Sequence, residues 1–136
     1  MTGVDVWAGI ECSYNRVGDA YFDQLERAGL YDRVDTVDRI ARLGVAAVRF
    51  PVVWERHCAL GERAWDWPDV GLERLRDYGI TPIVGLLHHG SGPPGTSLVD
   101  PEFPARFADF ARTVAERYPW VEHYTPINEP LTTARF

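Results

Sequence analysis

The sequence predicts an α/β fold of the (β/α)8 TIM-barrel type, of which residues 1–136 supply the first four βα units as a single domain, a half barrel. Three observations carry this. A strand, a loop and a helix recur four times along the chain, and that alternation makes parallel strands joined by right-handed crossovers. The strands are close to continuously apolar, as in sheets that helices cover. Polar side chains gather at the strand ends, where barrels of this type carry their sites. A complete eight-unit barrel needs ~250 residues. A small open α/β sheet and a flavodoxin-like domain are the alternatives. Against the second, no glycine-rich phosphate loop follows the first strand.

The first strand is expected over residues 4–10, where Val6, Trp7 and Ile10 are good strand formers. A long connection, 15–33, contains a segment able to form a short helix that Gly29 ends. The first full helix is expected over 34–43, with Val34, Val37, Ile40 and Ala41 on one face and Gly44 after its end. The second strand, 46–53, is apolar apart from Arg49, and Pro51 suits its end because it has no amide to donate. A loop carrying Trp54, Trp65 and Trp67 leads to a second helix over 68–78, with Pro68 in its first turn and Gly79 after its end. The third strand is expected over 81–87. The third helix is expected to open at Asp100-Pro101, with Phe103, Phe107, Phe110, Val114 and Tyr118 along its apolar stripe and Pro119 closing it. The fourth strand, 121–127, runs into Asn128-Glu129-Pro130.

Composition excludes several functions. Fourteen basic residues, all arginine, against twenty acidic ones give a net charge of -6. That balance opposes sequence-independent nucleic-acid binding and adhesion to anionic membranes. No apolar run approaches the ~18 residues of a membrane span. The N-terminal segment lacks the basic stretch of a secretory leader, so a cytoplasmic location is expected. Two cysteines, Cys12 and Cys58, form neither a disulfide framework nor a zinc-ligand spacing and are expected as reduced thiols, Cys12 as a small buried hydrophobe. No metal or cofactor is predicted. The prolines of the stretch 90–95 remove donors that a phosphate cradle needs.

The polar residues near the predicted strand ends are Glu11, Ser13, Asn15, Arg49, Trp54, His88, His89, Asn128 and Glu129. Amides, carboxylates, imidazole and an aromatic ring together suit a carbohydrate. Hydroxyls need planar amide and carboxylate partners, and a pyranose face stacks on indole. Adjacent strand residues point to opposite faces, so one of His88 and His89 is expected in the site and the other in a structural or exposed position.

Four segments in this order resemble glycoside hydrolase family 1, the retaining β-glycosidases. Residues 7–15 are similar to that family's first strand. Residues 35–56 resemble its first helix and second strand, with Arg49, Phe50, Trp54 and Arg56 at the family's pattern positions. Residues 79–94 resemble the third strand with its histidine, and 107–130 the third helix and the Asn-Glu-Pro strand end. The resemblance implies that Glu129 is the acid/base carboxyl and that Asn128 binds the sugar 2-hydroxyl. It places His88 on sugar hydroxyls, Asn15 where the family has glutamine, Arg49 beneath the site's carboxylates, and Trp54 as a second-strand aromatic. Three departures stand out. His89 replaces a tryptophan, glycines and prolines replace Asp-Leu-Pro, and Glu11 replaces a small residue. Glu11 is thereby a candidate second carboxylate, although the family's nucleophile belongs to a seventh-strand Thr-Glu-Asn-Gly motif that has no match here.

The resemblance therefore implies hydrolysis of O-glycosidic bonds of a carbohydrate substrate, with this chain inactive on its own. The unpaired edges and apolar inner face of four strands add a second copy closing eight strands to the two completions that the resemblance implies, a C-terminal barrel half or a dTDP-4-dehydrorhamnose reductase-like domain beyond residue 136. In the last case the chain is a non-hydrolytic sugar-binding module of a sugar-nucleotide enzyme.

Overall fold

The computed structural model describes residues 3–135. Its centre is a parallel sheet in the sequential order β1 (Trp7–Gly9), β4 (Ala47–Pro51), β5 (Thr81–His88) and β6 (His123–Asn128). Between these strands lie α1 (Gln24–Arg27), α2 (Thr36–Ala41), α3 (Trp54–Leu60), a 3-10 turn (Gly61–Trp65), α4 (Asp66–Asp77) and α5 (Phe103–Arg117); α6 (Pro130–Thr133) follows β6. The register places Arg49 beside Gly9 and Ile83, and His88 beside Asn128. The chemistry-bearing residues therefore emerge together at the carboxyl ends of neighbouring strands.

The paired part of β1 is shorter than expected, because this strand has a neighbour on one side only and Val4 and Val6 stand exposed. The connection expected to hold a short helix instead opens with an antiparallel hairpin, β2 (Tyr14–Val17) and β3 (Ala20–Asp23). Its two-residue turn is Gly18-Asp19, with Gly18 in the left-handed region that such hairpin turns use. A helix does follow. Asp23 caps α1 by accepting the N–H groups of Leu25 and Glu26 at 2.8 and 3.2 Å.

The region expected as a tryptophan-bearing loop is largely helical. Trp54 opens α3 and lies 5% exposed, with Phe110 stacked on it at 5.7 Å and Phe103 edge-on. The third helix begins at Phe103, after the expected Asp100-Pro101 start. Asp100 still accepts the Glu102 N–H at 2.9 Å, but it shapes the turn before the helix.

The core lies between the sheet and its helices. Phe50, fully buried, stacks on Trp67 at 4.6 Å and faces Gly71 of α4. A Cβ at Gly71 would stand 2.3 Å from Phe50 Cζ, so this glycine sets how closely α4 approaches the sheet. Polar ties join the helices at their rims. Arg117 and Tyr118 of the α5 end bind Asp69 of α4, and Tyr78 donates to Asp38 of α2. Among the described residues, no helix is long and apolar enough to cross a membrane.

Candidate active site

Arg49 organises the strand ends. From β4 its Nη1 donates to Asn128 Oδ1 at 2.5 Å and its Nη2 to Glu11 Oε1 at 2.6 Å. The first bond fixes the Asn128 amide, because a guanidinium is only a donor and must face the carbonyl oxygen. Asn128 Nδ2 therefore faces the two imidazoles, 3.3 Å from both His88 Nε2 and His89 Nε2. His88 Nε2 also lies 3.0 Å from Glu11 Oε2. The consistent assignment has the His88 Nε2–H donate to Glu11, while Asn128 donates to His89.

Two backbone corners aim the remaining pair. His89 has φ 58° and Glu129 φ 45°, each one residue past its strand. Left-handed backbone at a non-glycine residue costs roughly 1–2 kcal/mol, and surrounding structure must hold it. At Glu129 it is held by Thr133, whose N–H donates to Glu129 O and whose Oγ1 donates to Asn128 O, both at 2.9 Å. The corners bring His89 Nε2 to 3.6 Å from Glu129 Oε2. They also revise the expectation that only one histidine belongs to the site. The alternation rule fails because the strand has ended at His88, and His89 joins the network.

The site is wet above and dry below. His88 and Asn128 are each 8% exposed, while the Glu11 and Glu129 side chains are more than half exposed. Beside them opens a cleft of about 850 Å³ lined by Ser13, Asn15, His89, Ser91, Glu129 and Thr132, among others. Asn15 thus reaches the cleft from the hairpin. Trp54 does not. Its ring is enclosed by Phe103, Phe107 and Phe110, so the expected sugar-stacking face is used in the core. Cys12 is buried, and burial pushes its thiol up to about 12, which suits an inert hydrophobe.

Burial holds the His88 imidazole below its usual range, Glu11 opposes this, and the positive charge of Arg49 adds to it. Arg49→Met is expected to raise the His88 pKa and Glu11→Gln to lower it. A ring-carbon NMR titration reads both directions. Unequal signs are required, since general loosening of the site would move both variants toward the solvated value.

Glu55 was not anticipated. It is 2% exposed, and burial pushes its carboxyl up to about 7. No sequence pattern marks it, since a glutamate in the first turn of a helix is ordinary on a surface.

No family model and no curated protein matches the chain. Solved structures do. A β-glucosidase from Thermotoga maritima in complex with methoxycarbonyl-substituted glucoimidazole is 26% identical, with a TM-score of 0.69 over 76% of this chain. Its complex with castanospermine gives 0.68 at the same identity and coverage. A structure described as the family 1 β-glucosidase of that organism gives 0.62 over 69% of this chain. The fold is glycoside hydrolase family 1-like. The chain spans about a quarter of the family 1 β-glucosidase it matches, 23 to 26% of those chains.

Proposed function

We propose that this chain supplies the acid/base half of a family 1-type barrel that hydrolyses β-glycosidic bonds. The observation that carries this reading is the joining of Glu11, Arg49, His88 and Asn128 in one hydrogen-bonded network at the strand ends, with Glu129 beside it. Glu129 protonates the leaving glycosidic oxygen and then takes a proton from the attacking water. Asn128 and His88 hold sugar hydroxyls. Arg49 keeps both Asn128 and Glu11 in place, and Asn15 closes the cleft from the hairpin side.

A retaining mechanism needs a second carboxylate ~5–5.5 Å from the first as nucleophile. In this reading the second carboxylate comes with the remaining strands, since this chain aligns with only 26% of the matched β-glucosidase. A split-enzyme assay tests the proposal. The chain alone is expected to leave an aryl β-glucoside intact. Turnover is expected when it is combined with a polypeptide carrying the missing strands and their carboxylate. Turnover by the isolated chain that Glu129→Gln abolishes would refute the need for a second half. Sugar binding without turnover in the combined barrel would favour the non-hydrolytic module, for which His89 in the tryptophan position is the motivating departure.

A further inference from the structure

Glu55 lies on α3, one residue after Trp54, and points beneath the loop 90–96 that follows β5. Its Oε1 accepts the Gly92 N–H at 3.2 Å. A Cβ at Gly90 would come within 2.2 Å of that oxygen and 2.7 Å of the Tyr14 carbonyl oxygen. A Cβ at Gly92, where φ is +81°, would meet Trp54 and Thr96 at 2.7 and 2.6 Å. The glycines are therefore what admits a carboxyl under this loop. The loop is also closed on itself, since the Thr96 hydroxyl lies 2.6 Å from the Ser91 and Pro93 carbonyl oxygens.

The other side of this loop faces ligand space. Gly90 and Ser91 line the cleft, directly after His89, which stands against Glu129. One buried carboxyl thus touches the underside of the wall whose upper side borders the candidate catalytic group. Nothing in the proposed hydrolysis uses that carboxyl.

We propose that Glu55 is a positioning residue that seats the loop 90–96 as a wall of the cleft and couples the setting of that wall to its own proton. An ionised carboxylate accepts a backbone N–H more strongly than the neutral acid does. Loss of the proton tightens the Gly92 bond, and burial opposes that loss. The Glu55 and Gly92 N–H groups favour the charged form and offset part of the burial. Among the titratable groups around it, Asp23 at the end of β3 is a like charge, and Tyr14 of β2, Cys12 and Cys58 bring no cation. The neighbouring Arg56 is turned away, over the Tyr31 ring at 3.5 Å and toward Asp23 at 3.7 Å. The proposal needs the cleft and does not need the hydrolase reading.

The test is an amide NMR titration of the full chain. The Gly92 and Ser91 resonances are expected to move with one midpoint near 7, in step with the Glu55 carboxyl carbon. Glu55→Gln is expected to remove that midpoint while the titrations of His57 and His88 persist. Glu55→Ala is expected to speed Gly92 amide exchange about tenfold or more, through loss of a charge-assisted bond. An unaltered midpoint in Glu55→Gln, or unchanged Gly92 exchange in a folded Glu55→Ala, overturns the proposal. If Glu55→Ala does not fold, Glu55→Gln alone decides. Castanospermine serves as the cleft probe. Its binding is expected to carry one component with the same midpoint, beside those of His88 and of its own amine, and Glu55→Gln is expected to remove that component alone. Loop titration with no castanospermine binding at any pH would keep the positioning role and remove support for the sugar reading.

Discussion

Glu129→Gln in the assembled barrel is expected to lower kcat/KM for a β-glycoside with a poor leaving group by about 10²- to 10⁴-fold, the usual worth of a positioned general acid. Glutamine keeps the size and the acceptor oxygen of Glu129 but carries no transferable proton. The loss should shrink with the leaving group's pKa, because a good leaving group departs without protonation. The measurement is a leaving-group series on both proteins. A uniform loss across the series would mean that Glu129 binds substrate and does not protonate it. An unchanged series would remove Glu129 from the mechanism, and His89, 3.6 Å away, would become the next group to test.

The same residues show how far sequence reaches. The parallel sheet was legible because Val48, Phe50, Val84 and Leu86 are apolar regardless of loop detail, and a sheet covered by helices demands that. The strand-end network was legible in part. Glu11, His88 and Asn128 sit at or just past the ends of their strands, Arg49 lies in the middle of β4, and strand order makes them neighbours. His89 was misplaced because its position depends on one positive φ, which no local pattern announces. Trp54 has two readings in the sequence, sugar stacking and core packing. An indole suits a sugar face and a core equally well, and the three phenylalanines of α5 decide between them at a separation of about fifty residues. The hairpin was missed although its Gly18-Asp19 turn was present in the sequence. A short helix reading of the same stretch competed with it, and that helix exists immediately downstream.

Glu55 carries the second large effect, on stability. An unfolded chain releases this proton near 4.5, while the folded chain holds it to about 7. Between those values the native state binds the proton that the unfolded state has lost, so this residue's contribution falls as pH rises and is flat above about 7. Each unit of difference is worth about 1.4 kcal/mol, which makes the loss about 3 kcal/mol across the window. Glutamine has no proton to lose and retains an oxygen for the Gly92 N–H. Glu55→Gln is therefore expected to be more stable than the parent by about 3 kcal/mol at pH 8, relative to the difference at pH 4. Urea unfolding of both proteins at the two pH values measures this. The comparison isolates Glu55, because burial lowers His57 and His88 in both proteins and their opposite trend, stability rising with pH, cancels in the difference. A difference that does not grow with pH would mean that the native carboxyl loses its proton as readily as the unfolded one. The coupling of the cleft wall to the Glu55 proton would then fall with it, since no change in the charge of Glu55 near 7 would remain for Gly92 to follow.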